Sequence, residues 1–245
     1  GLGDVYKRQV VDGKTLEREQ PKTIGDALLD IPNVDVTSGE SPVFTSIHIR
    51  GSDRDQITYL LDGVRQDNYT TGGNRPAFIF VDPELVKQVE VRRGGGSSLY
   101  GNGGIGGTLA VTTKSASDML KPGQQFGAKI KTGYSDDNRE WSKSAYVYGK
   151  ADIYDAIVAY SRRDGGKLKW SRDGHRSGSE RDSKYDAFMA KVTAAPSADN
   201  KFSLGYALDK PSQWSGPETD RMFYDLKQQR ITGGWETVMN FVSMG

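Results

Sequence analysis

From Phe126 onward, apolar and polar residues alternate with a period of two. Phe126, Ala128, Ile130, Thr132 and Tyr134 are interleaved with Gln125, Gly127, Lys129, Lys131 and Gly133. Tyr154, Ala156, Val158 and Tyr160 oppose Asp155, Ala159 and Ser161, with Ile157 breaking the alternation. Phe202, Leu204, Tyr206 and Leu208 face away from Lys201, Ser203, Gly205, Ala207 and Asp209. Weaker runs cover Trp141 to Lys150 and Tyr185 to Thr193, and a sixth covers Met222 to Trp235. Successive side chains of a strand point to opposite faces, so these runs predict an antiparallel sheet with one apolar and one polar face.

Two architectures satisfy that pattern. A soluble antiparallel sheet packs its apolar face on a core and wets the other. A membrane barrel uses strands of about 10 residues and turns the apolar face to lipid. Aromatic residues near the strand ends favour the barrel. So does the contrast between the long, charged, glycine-rich connection from Asp164 to Ser183 and the short ones at Ser135 to Arg139 and Gly149 to Asp152. The mean hydropathy of −0.64 is compatible with a barrel, where only alternate residues must be apolar. A run of about 18 apolar residues, as a transmembrane helix needs, does not occur.

Residues 10–118 read as a separate α+β domain. Thr23 and Asp26 can cap a short helix whose Ile24, Ala27, Leu28 and Ile31 share a face, and Pro32 stops it. Ile47 to Arg50 and Ile57 to Leu61 read as strands, the second closed by an Asp-Gly turn at Asp62-Gly63. Asp82 caps a helix start with Pro83 in its first turn. The opening residues 1–9 fit no targeting pattern and are set aside as a non-native leader. The chain is expected to be a fragment cut at both ends.

Composition narrows the chemistry. A net charge of +1 carries no nucleic-acid footprint, and the absence of cysteine excludes disulfides and thiolate metal sites. Gly101-Asn102-Gly103-Gly104-Ile105-Gly106 spells a dinucleotide-type GxGxxG, but β-rich Thr108 to Thr113 follows where a phosphate-binding helix should start. The glycines are better explained by positive φ angles and close backbone approach. His48 and His175 stand far apart, outside any metal-ligand spacing. Asp53/Asp55 and Asp136/Asp137 sit in turns, and Ser97-Ser98 lacks a nearby base. No catalytic constellation is present, so an enzyme is not expected.

Five segments in order carry a resemblance: Ile24 to Val36 (IGDALLDIPNVDV), Ile49 to Gly51, Tyr59 to Gln66 (YLLDGVRQ), Val81 to Gly94, and Ser97 to Lys114. Together they resemble the plug domain of TonB-dependent outer-membrane receptors, with residues 119–245 as the first strands of the barrel. The resemblance implies an α+β plug followed by antiparallel all-β structure, an incomplete piece of a 22-stranded transmembrane barrel. It also implies an outer-membrane location in a Gram-negative bacterium, contact with outer-membrane lipid, and energy supplied through TonB rather than a nucleotide. About 220 residues of strand are needed for such a barrel, so residues 119–245 cannot close one.

The same resemblance implies site residues. Arg50 and Arg93 match plug arginines that face barrel carboxylates. Asp67 to Phe80 corresponds to an apical loop, giving Asn68, Tyr69, Asn74, Arg75 and Phe78 as ligand contacts. Within the family, the segment from Val81 through KPGQ is similar to haem and haemoglobin receptors, which implies haem as the transported ligand, with haemoglobin or another haem carrier as partner. The apical loop lacks the histidine those receptors often use. Tyr69, as a phenolate, and His175, in the first long loop, are the substitutes. No permanently bound cofactor is expected. A ferric siderophore is the alternative ligand, and a soluble periplasmic plug-like module the alternative protein.

Overall fold

A computed structural model describes residues 8–37, 46–52, 56–66, 80–93, 106–136, 139–166, 183–215 and 222–237. The N-terminal domain comprises β1 (Arg8–Asp12), α1 (Gly13–Glu19), β2 (Val34–Thr37), β3 (Ser46–Ile49), β4 (Ile57–Leu61), β5 (Val64–Arg65), β6 (Val86–Arg93), β7 (Gly107–Thr113) and α2 (Ala116–Met119). Its main sheet runs β1-β6-β7-β4-β5, antiparallel except for the parallel β4–β7 pair, and β2 and β3 form a separate hairpin. Arg8 and Gln9, within the expected leader, are part of β1 opposite Arg92 and Val91.

The burial of this domain follows the sequence. β4 is buried along its whole length, because both of its faces meet protein. Leu28, Ile49, Val86, Val89, Val91 and Leu109 are fully enclosed in one apolar cluster. The turn after β4 is the expected one: Asp62 and Gly63 both adopt positive φ, 49° and 80°, as a two-residue hairpin turn with the right twist requires. The expected helix near Thr23 narrows to a 3-10 turn at Asp26–Leu28. The Thr23–Asp26 capping pair forms, with Thr23 N to Asp26 Oδ2 at 2.9 Å and Asp26 N to Thr23 Oγ1 at 3.1 Å. Ile24, Ala27, Leu28 and Ile31 still reach the core.

The second unit is a meander of β8 (Phe126–Ser135), β9 (Glu140–Ala151), β10 (Tyr154–Gly165), β11 (Ser183–Ala194) and β12 (Asn200–Ser215). A sixth strand pairs with β12 in two pieces, β13 (Met222–Asp225) and β14 (Gln228–Thr237), broken at residues 226–227. All six expected runs are therefore strands; the second to fifth extend beyond their sequence patterns, and the sixth is interrupted. The connections 136–139, 166–182 and 216–221 share one rim, and 152–153 and 195–199 share the other. The sheet stays open, with β8 at one edge and the last strand at the other.

Alternation sorts the two faces. Ile130, Val147, Val158, Leu204 and Ile231 stand exposed on the outer face, between aromatic groups at both rims. Tyr134 and Trp141 meet at one rim with ring centroids 5.0 Å apart, and Phe202 and Trp235 stack at the other at 6.3 Å. Ile157, which looked like a break in the alternation, obeys it. It lies on the inner face, 1% exposed, in a cluster with Leu85, Ala116, Tyr146, Ala159 and Tyr185. An apolar residue is required there because the inner face meets the N-terminal domain rather than water.

Candidate functional site

Where the two units touch, the sequence places charge on both sides of a buried seam. Asp82 caps the 3-10 turn Pro83–Leu85 by accepting from Glu84 N at 2.9 Å, and this aims its carboxylate at β10. Arg163, on the inner face of β10, grips it bidentately: Nε to Oδ2 is 3.0 Å and Nη2 to Oδ1 is 2.9 Å. Ser161 Oγ adds a bond of 2.8 Å to Oδ2. The same guanidinium donates to Glu140 Oε1 at 3.2 Å and to the Pro21 carbonyl at 3.4 Å. One buried cation thus ties two segments of the N-terminal domain to two strands of the wall. Burial alone would raise the Asp82 pKa, but Arg163, with the Glu84 amide and Ser161 hydroxyl, holds it below the ordinary carboxylate value.

Further joints follow the same seam. Glu84 takes Lys131 Nζ at 2.6 Å, and its carbonyl accepts from Tyr146 Oη at 3.0 Å and from Lys114 Nζ at 2.7 Å. Burial pushes the Lys114 ammonium below its usual pKa, partly countered by Glu84. Asp155 of β10 accepts the Ala116 amide at 2.9 Å and the Ser117 amide at 2.6 Å, capping α2 from the wall. Asp62, at the β4–β5 turn, accepts from Thr113 N at 2.9 Å and from Lys191 Nζ of β11 at 3.1 Å. Arg230 of β14 donates to the Phe80 carbonyl at 3.0 Å and to Asp209 at 2.7 Å. Beyond Lys191 the seam opens into a polar cavity of about 300 Å³, walled by small residues such as Ser203, Gly205 and Gly233.

Such a seam sets directional polar joints around a small apolar contact, in which Leu85 and Ala116 pack on Tyr146, Ile157, Ala159 and Tyr185. Buried ion pairs contribute little net stability compared with packed apolar groups, yet breaking one is costly because a charge is stranded. The contacts are directional.

The sequence-derived site residues fall differently. Arg50 sits in the turn after β3 with φ 53°, exposed. Arg93 ends β6, buried, its guanidinium donating to Gln9 Oε1 of β1. Neither reaches the described wall strands, whose ion pairs with the N-terminal domain run from strand cations (Lys131, Arg163, Lys191) to carboxylates of that domain (Glu84, Asp82, Asp62). Asn68, Tyr69, Asn74, Arg75, Phe78 and His175 lie outside the described residues. His48 is half-buried on β3, opposite Asp35. Gly106, the last glycine of the GxGxxG spelling, leads into β7 and not a helix; a Cβ there would stand 2.4 Å from Ser52 Cβ. Sequence reading missed Arg163, Asp155 and Lys191 because their strands' polar faces look solvated. Asp155 and Arg163 falling on one polar face, beside a capping Asp82, was the available signal.

Residues 5–108 match the family model described as the TonB-dependent Receptor Plug Domain. The chain belongs to the TonB-dependent receptors. It is 32% identical over 162 residues to the hemin receptor of Yersinia pestis, an alignment covering 66% of the chain and 24% of that receptor. It is 31% identical over 183 residues to transferrin-binding protein A of Neisseria meningitidis serogroup B, covering 71% and 20% respectively. Its fold matches a double mutant of the Serratia marcescens hemophore receptor HasR, solved with its hemophore HasA and heme, at a TM-score of 0.82. That match has 20% identity and covers 94% of the chain and 34% of the receptor chain it matches. The chain therefore spans about a quarter of the length of the hemin receptor it matches. In this receptor the N-terminal domain is the plug, the meander is part of the barrel wall, and the charged seam is the plug–wall contact.

Proposed function

We propose that this chain is the plug and first wall strands of an importer that moves an iron-containing ligand, haem foremost, across the outer membrane with energy delivered through TonB. One observation carries the reading: the sheet's outer face is apolar while its inner face is joined to the plug by buried ion pairs. A soluble plug-like module would have no use for exposed Ile130, Leu204 and Ile231. An importer needs such a face for lipid, and needs a plug that can leave the wall and return. Transport, not catalysis, is the activity.

Similarity to the hemin receptor supports haem, and similarity to transferrin-binding protein A keeps iron as the common cargo. A ferric siderophore is the second reading. Asn68, Tyr69, Asn74, Arg75 and Phe78 remain the ligand contacts to test, with Tyr69 and His175 as iron-ligand candidates. Arg50 and Arg93 are proposed to meet wall carboxylates outside the described strands.

The test is growth of an iron-starved, siderophore-deficient host carrying the intact receptor, with haem, haemoglobin or a ferric siderophore as sole iron source. Growth on haem that disappears when TonB is deleted supports the proposal. Growth only on the siderophore selects the second reading, and uptake independent of TonB overturns both.

A further inference from the structure

Residues 80–82 belong to no strand or helix, yet the wall holds them from two sides. The Phe80 carbonyl accepts from Arg230 Nη1 of β14 at 3.0 Å, and the Asp82 carboxylate is gripped by Arg163 of β10. Val81, between these two joints, is 4% exposed in the plug's apolar cluster. Strands β14 and β10 lie three spacings apart, roughly 14 Å, whereas two residue steps span at most about 7 Å. Long cations converging from both sides bridge the difference. Arg230 differs from Arg163 in what it holds. Arg163 chiefly grips a carboxylate, whereas Arg230 reaches the plug through a backbone carbonyl, which fixes where the chain lies and not which residue stands there. Its guanidinium is itself set by the wall: Nη2 to Asp209 Oδ2 of β12 is 2.7 Å, and Nη1 to Gln228 Oε1 is 2.8 Å. Asp209 in turn accepts from Tyr185 Oη of β11 at 2.8 Å. Side-chain exposure is 9% at Arg230 and 2% at Asp209, so the network is shielded from water.

We infer that Arg230 is a positioning residue for ligand binding. It fixes, from the wall, the point at which the segment carrying Asn68, Tyr69, Asn74, Arg75 and Phe78 rejoins the fold at Phe80. The inference rests on the ligand contacts proposed above. A segment whose end is fixed in advance loses less freedom when a ligand orders it. A guanidinium locked by Asp209 and Gln228 supplies that fixed point, because its planar fork holds several acceptors in one geometry. Freeing one residue of backbone costs about tenfold in affinity. Arg230 therefore acts on the ligand through Phe80, and Arg163 and Asp82 hold the neighbouring joint independently.

The experiment uses the intact receptor with hemin as the probe. R230M alone would strand the Asp209 carboxylate, so the variant is D209N/R230M, which removes both charges and keeps an acceptor for Tyr185. Hemin is expected to bind about tenfold more weakly, and the concentration for half-maximal TonB-dependent uptake to rise in proportion, with the maximal rate unchanged. R230K keeps a donor for the Phe80 carbonyl without the fork that also holds Asp209, and should recover part of the affinity. Hydrogen exchange should accelerate at the Val81 amide, which shares a peptide group with that carbonyl, and stay unchanged at Leu85. Unchanged hemin affinity in D209N/R230M overturns the inference. So does equal acceleration at Leu85, which would make Arg230 a general anchor of the plug. If the unaltered receptor binds no hemin, haem has failed as the cargo, and the same comparison with a ferric siderophore decides the role of Arg230.

Discussion

Replacing Arg163 by alanine strands Asp82, which has no exposed surface, without the cation it is paired with. The lost contacts are the bidentate pair to Asp82 and the bonds to Glu140 and the Pro21 carbonyl. Removing one member of a buried pair costs about 3–5 kcal/mol. That converts to a roughly hundred- to few-thousand-fold increase in the population with the plug detached at this joint. Hydrogen exchange on the intact receptor reads it directly at the Leu85 amide, which is bonded to the Asp82 carbonyl at 2.9 Å. The double variant D82N/R163M removes both charges and is expected to recover most of the loss, because a buried pair contributes little beyond its apolar replacement. The pH dependence has a fixed sign. Asp82 has a folded pKa below its unfolded one, so its contribution is complete above the ordinary carboxylate value and disappears as pH falls through the depressed folded value. Protection at Leu85 should therefore hold at neutral and mildly acidic pH and collapse only in stronger acid. A change below tenfold for R163A, or a double variant no better than the single, refutes the reasoning.

Three other outcomes follow from the geometry. Asp155→Ala removes two amide bonds at the start of α2 and should cost about 1.5–3 kcal/mol, seen as faster exchange of the Ala116 and Ser117 amides with the plug core unchanged. Gly107→Ala places a Cβ 2.6 Å from the Arg92 carbonyl at φ 146° and should destabilise the plug by about 1–3 kcal/mol, lowering its thermal midpoint; an unchanged midpoint would show that the β6–β7 backbone yields freely. Residues 1–245 expressed alone expose both edges of the open wall and an apolar outer face, and should aggregate; a monodisperse soluble monomer on size exclusion would contradict the lipid-facing assignment.

The sequence by itself determined the local elements. Period-two alternation set six strands and their two faces, Asp62-Gly63 set a hairpin turn, and Thr23 with Asp26 set a cap, because each depends on neighbours within a few residues. It left Thr23 to Ile31 looking like a helix, where the structure forms only the 3-10 turn Asp26–Leu28. It also left Ile157 as an anomaly, because alternation records polarity and not what a face will touch. Only the tertiary structure decided that the polar face of β10 meets a plug, so that Asp155 and Arg163 became buried partners of α2 and Asp82 rather than solvated charges. Ion pairs such as Arg163–Asp82, separated by 81 residues, leave no periodic trace in the chain. They exist because folding brings two charges out of water together, and a lone buried charge is too costly to tolerate.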